Sequence, residues 1–110
     1  PKNINETVFN YLLKNNIDVL NFSSFNLNYD SEIAKVDPKH IIKTIQDMEY
    51  ADSDAIFVSC TALRIVEVLQ EAEDNINKTI ISSNQSIIWD SLRSVKINEK
   101  ISNYGKLLLN

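Results

Sequence analysis

An α/β fold built around a parallel sheet follows from two features of the chain. Segments with helical and extended patterns alternate in the order αβαβαβα, and the run Ala55-Ile56-Phe57-Val58-Ser59 is mostly apolar without a period of two. Parallel neighbours require crossover connections, which helices supply. A strand without alternation is one covered on both faces, so helices are expected on either side of the sheet, as in a three-layer sandwich.

The first helix is expected near residues 4 to 15, where Ile4, Val8, Tyr11 and Leu12 share a face and Asn15-Asn16 closes the element. A strand is predicted at Ile17 to Phe22. Ser23 to Val36 lacks a clear period and is rich in Ser, Asn and Asp, which predicts a long loop with one helical turn at its end. Asp37-Pro38 starts the next helix, since aspartate caps free amides and proline fits the first helical position; Ile41, Ile42, Ile45 and Met48 form its inner face.

Ala51 to Asp54 breaks that helix ahead of the apolar strand. Leu63, Ile65, Val66, Val68 and Leu69 then predict an amphipathic helix from Thr61 to about Asp74, and Asn75-Ile76-Asn77 turns the chain. Thr79-Ile80-Ile81 reads as a short third strand. Ser83 is expected to cap a helix running to about Val95, with Ile87, Ile88 and Leu92 inward, and a terminal segment carries Tyr104-Gly105-Lys106-Leu107-Leu108. A series that opens on a helix suggests a fragment lacking its own first strand.

Composition bounds the function. A chain of 110 residues with 44% hydrophobic content suits one small globular domain. Its net charge of −4 and scattered basic residues argue against nucleic acid. There is no apolar run long enough to span a membrane and no leader pattern, so a cytoplasmic location is expected. One cysteine rules out an internal disulfide, and His40 stands far from it in sequence, which leaves no metal-ligand pattern.

In open parallel sheets, sites form beyond the carboxyl ends of the strands, where helix N-termini also point. Ser59, Cys60 and Thr61 fall at such an end. A helix starting there would present free amides and a positive dipole end, which favour a carboxylate ligand and a thiolate. A lone cysteine is more often a small buried hydrophobe, and Thr61 reads equally well as an ordinary helix cap. His40 is expected at the surface, Trp89 in packing, and the cluster Glu71, Glu73 and Asp74 on a solvated face.

Asp54-Ala55-Ile56-Phe57-Val58-Ser59-Cys60-Thr61-Ala62-Leu63-Arg64 resembles the second-cysteine motif, D-A-[IV]-F-[IV]-S-C-T-N-L-R, of maleate cis-trans isomerases and the related ectoine-utilisation proteins in the Asp/Glu racemase superfamily. Ile81-Ser82-Ser83-Asn84-Gln85 followed by Ile88-Trp89 is similar to that family's V-S-S-N-Q-A and tryptophan, and Tyr104 to Leu108 is similar to its closing Y-G-R-L-L. The three motifs occur in order at fitting intervals.

The resemblance implies the C-terminal half of a pseudo-twofold, two-domain fold whose active site lies between the halves, so the N-terminal half carrying the first cysteine would be the partner. It implies cofactor-independent isomerisation of a small dicarboxylate, with Cys60 as proton donor and acceptor and with Thr61 and Asp30 meeting substrate. Asp30 stands where the family's N-x-E-I-G loop has asparagine, and an anion there would repel a dicarboxylate unless protonated or turned away. Ala62 replaces the usual asparagine after Cys-Thr. An amino-acid racemase, an arylmalonate decarboxylase-like enzyme and a non-catalytic carboxylate-binding domain are the alternatives; racemases more often show G-C-T-E, and the decarboxylase type usually has glycine after its cysteine. The isolated half is expected to be inactive, and its oligomeric state, a homo-oligomer included, is open.

Overall fold

A computed structural model describes residues 2–110. Helix α1 spans Lys2–Lys14 and ends as expected at Asn15-Asn16, where Asn16 turns left-handed at φ 61°. No residue of α1 is buried. The strand predicted at Ile17 to Phe22 does not form: the segment has no regular structure, and Ile17, Leu20 and Phe22 are exposed. An extended pattern marks only a capacity to pair, and a strand without a neighbour for its backbone groups has no independent stability.

The long loop contains the expected single turn, α2 (Asp30–Ile33). Helix α3 (Pro38–Asp47) starts as predicted, with the Asp37 carboxylate accepting the Lys39 amide at 2.9 Å and proline opening the first turn. Ile41, Ile42 and Ile45 are buried along one face, and Met48 is half-buried at the end.

Strands β1 (Ala55–Val58) and β2 (Thr79–Ser82) pair in parallel, Ala55 opposite Thr79 and Val58 opposite Ser82. They form a two-stranded sheet rather than one of three strands. Nor is β1 covered on both faces. Ile56 is buried while Ala55 and Phe57 are exposed. The core lies on the covered side, where Ile41, Ile45, Ile65, Leu69, Ala72 and Ile80 are almost fully buried.

Helix α4 occupies Leu69–Ile76, eight residues later than the start expected at Thr61. Leu63 and Ile65 are both buried with exposed Arg64 between them, an alternating spacing that a helix cannot satisfy, and it pins residues 61–68 as a looped segment. Asn77, left-handed at φ 50°, ends α4.

Helix α5 (Ser83–Ser94) is capped by Ser82, not Ser83. The Ser82 hydroxyl accepts the Gln85 amide at 3.2 Å while Gln85 Oε1 accepts the Ser82 amide at 3.0 Å, a reciprocal capping box. Ile87 and Ile88, expected inward, are exposed, and Leu92 and Trp89 are half-buried. Trp89 Nε1 and the Arg93 guanidinium both donate to the Asn110 carbonyl oxygen, which ties the terminal segment to this helix.

A 3₁₀ helix at Lys106–Leu109 follows Gly105. Around that glycine the carboxylate of Glu73, 2% exposed, accepts the amides of Ile80 and Lys106, each at 2.9 Å. Gln85 Nε2 donates to the Tyr104 carbonyl, and Gln70 Oε1 accepts the Gly105 amide at 3.0 Å. Glu73 is thus a buried anchor and not part of a solvated acidic face, whereas Glu71 and Asp74 are exposed as expected.

Candidate functional site

The parallel register decides what meets at the carboxyl end of the sheet. Because Val58 lies opposite Ser82, the residues that leave the two strands, Ser59-Cys60 and Ser83-Asn84, emerge side by side. The Cys60 amide donates to Ser83 Oγ at 3.1 Å, and Asn84 Nδ2 donates to the Thr61 carbonyl at 3.1 Å. Two side chains from the first turn of α5 therefore hold the peptide that carries the cysteine.

Cys60 itself adopts φ 134°, a backbone conformation that side-chain-bearing residues rarely take. Such strain persists only where neighbouring contacts over-determine it. The side chain is half-buried, packed against the hydrophobic core, and its sulfur is a free thiol. The positive helix end expected beside Cys60 is present but has a different owner. Its own chain continues into a loop, and α5, which starts one residue beyond β2, supplies the N-terminus. The amides of Ser83 and Asn84 precede any intrahelical acceptor, so this end suits an anionic ligand.

Thr61 is exposed and caps no helix, and its carbonyl is engaged by Asn84. Leu63 returns to the core, its amide bonding the Cys60 carbonyl at 3.3 Å. Arg64 makes a two-pronged ion pair with Glu67, at 2.7 and 2.9 Å. That pairing raises the Arg64 pKa, chiefly through the hydrogen bond, and lowers that of Glu67 for the same reason.

Asp30 is exposed at the first position of α2, and no hydrogen bond joins it to Cys60 or Thr61. Its turn is nonetheless linked to the site region through the core, since Ile33 and Val36 pack against the same cluster as Cys60. His40 is exposed, as expected, with its ring centroid 5.4 Å from that of Phe25. Two surface clefts, one between Leu20-Asn21 and Gln46–Ser53 and one lined by Val66, Ile88, Ile101 and Tyr104, both exclude Cys60.

Sequence reasoning treated Ser83 as a helix cap and Asn84 as part of a motif, and missed their contact with Cys60. The signal was the parallel order itself, which puts the residues after neighbouring strands at one end. Among the described residues no cluster of His, Cys, Asp and Glu could hold a metal, and no helix is long and apolar enough to cross a membrane.

A family model described as arylmalonate decarboxylase matches residues 1–108. The chain is 22% identical over 108 residues to the maleate isomerase of Geobacillus stearothermophilus, covering 97% of this chain and 43% of that protein. The maleate isomerase of Alcaligenes faecalis is 20% identical over the same shares. Among solved structures, the maleate isomerase Iso from Pseudomonas putida S16 matches with a TM-score of 0.94 at 23% identity, over 100% of this chain and 45% of that one. An arylmalonate decarboxylase crystal structure matches with a TM-score of 0.82 at 24% identity, over 96% and 47%. The chain spans about half the length of these relatives, and its architecture is about half of an Asp/Glu racemase-like fold.

Proposed function

The chain belongs to the arylmalonate decarboxylase family, and from that premise we propose that it forms one half of a cofactor-independent cis-trans isomerase acting on a small dicarboxylate, of the maleate-to-fumarate type. The observation that carries this reading is Cys60 at the sheet's carboxyl end, held against the N-terminus of α5 within a Ser-Cys-Thr motif. Curated relatives covering almost the whole chain are maleate isomerases, which supports the isomerase over the decarboxylase. Thr61 also follows the cysteine where the decarboxylase type usually has glycine.

In this reading a second cysteine, from a similar half, adds as thiolate to one alkene carbon. The Cys60 thiol gives its proton to the other carbon as the C–S bond forms. Rotation about the resulting single bond follows. The Cys60 thiolate then removes a proton from the same carbon as the C–S bond breaks, so both thiols return to their starting state and the net change is geometric only. Carboxylates of the substrate meet the free amides of α5 and the Thr61 hydroxyl. Asp30, exposed at the start of α2, is turned away from the substrate in this reading, because a carboxylate facing it would repel it. A cytoplasmic location and an inactive isolated half belong to the same proposal.

The test is conversion of maleate to fumarate, followed by NMR, in the protein carrying both halves. Turnover supports the proposal. Absence of maleate turnover, together with racemisation or decarboxylation of another acid, overturns the isomerase reading in favour of the related chemistry.

A further inference from the structure

Three observations converge on the two residues that open α5. Cys60 sits at φ 134°. Its amide donates to Ser83 Oγ across 23 residues of sequence at 3.1 Å, and the carbonyl of the next residue, Thr61, accepts from Asn84 Nδ2 at 3.1 Å. These bonds grip the chain on both sides of the Cys60 carbonyl. Neither Ser83 Oγ nor Asn84 Nδ2 is needed to cap α5, since Ser82 and Gln85 already form the capping box.

We propose that Ser83 and Asn84 are positioning residues for Cys60: they hold the Cys60-Thr61 peptide in its strained conformation and so fix where the thiol stands relative to the α5 N-terminus. The proposal deepens the reading of Cys60 as the reacting thiol and rests on it. A side chain with φ in this region gains by relaxing to an ordinary basin. Relaxation would rotate Cβ and Sγ about the backbone while leaving β1 and β2 paired. Reactivity would then change without loss of fold. The Ser83 hydroxyl serves as acceptor here, so threonine retains the function and alanine removes it.

The experiment uses the 110-residue chain and measures alkylation of Cys60 by iodoacetamide as a function of pH, which needs no substrate and no second cysteine. For Ser83→Ala the rate at neutral pH is expected to change by about threefold or more and the pH profile to be displaced. Ser83→Thr is expected to restore both, and Asn84→Ala to give a smaller change in the same direction. A superimposable profile for a folded Ser83→Ala chain overturns the proposal, as does a changed profile that threonine leaves unrestored. Hydrogen exchange of the Cys60 amide in the unmodified chain decides the matter if the variants do not fold: protection is expected, and exchange at the rate of an open loop overturns it. Failure of maleate turnover in the two-half protein would leave these readouts untouched, so the two claims fail separately.

Discussion

Glu73 Oε2 accepts the amide of Ile80 at 2.9 Å, joining the middle of α4 to β2 inside the core. Its other oxygen takes the Lys106 amide at 2.9 Å, so one carboxylate fastens a helix, a strand and the terminal 3₁₀ turn. A buried carboxylate is tolerated where its charge is met by such donors, and removing it strands both.

Glu73→Ala is accordingly expected to destabilise the fold by about 3 kcal/mol, because the buried Ile80 amide and the part-buried Lys106 amide lose their acceptor. Glu71→Ala, on the exposed side of the same helix, serves as the control and is expected to stay within about 0.5 kcal/mol of the parent. Chemical denaturation of the two variants checks the contrast.

Gly105 is expected to resist substitution. An added Cβ would lie 2.4 Å from Leu69 Cδ2 and 2.7 Å from Gln85 Nε2, and the residue holds φ +90°. Gly105→Ala should cost about 2 kcal/mol or more from clash and backbone strain together. Thermal unfolding, with Leu69→Ala/Gly105→Ala as a partner variant that makes room, separates the clash from the strain.

At Cys60 the strain predicts a trade between stability and chemistry. Cys60→Gly and Cys60→Ala both remove the thiol, but only glycine accepts φ 134° freely. The glycine variant is expected to be more stable than the alanine variant by about 1 kcal/mol. In the protein with both halves, either change should lower turnover by a factor on the order of 100 or more through loss of the proton donor. Paired denaturation and steady-state assays measure the two effects.

The Arg64–Glu67 pair gives a pH-dependent signature. The Glu67 pKa is lowered from 4.5 by its hydrogen bond to Arg64, so the pair's contribution is present above the ordinary carboxylate range and fades as pH falls through the depressed value. Both side chains are half exposed and the contribution is small. The stability of Glu67→Gln should fall slightly below the parent near neutral pH and converge with it in acid, as read from unfolding midpoints across that range.

Much of the chain's local structure was legible from residue types whose effect is local. Asp37-Pro38 set the start of α3, Asn16 and Asn77 ended their helices in left-handed turns, and the apolar run at Ala55–Val58 became a strand. Glu73 was read as part of a solvated face; only with α4 set at Leu69–Ile76 do Leu69, Ala72, Glu73 and Ile76 share one buried face at spacings of three and four.

By itself, then, the sequence determined the alternation of helix and strand from α3 to α5, the most apolar strand and the motif around Cys60, because caps, turns and periodicity act within a few residues. Tertiary structure decided the rest. Whether Ile17 to Phe22 becomes a strand depends on a neighbour to pair with, and whether residues 61–68 form a helix or a loop depends on Leu63 and Ile65 both reaching the core. Which helix points its positive end at Cys60 was settled by the register of β1 on β2, a long-range pairing that no local pattern encodes.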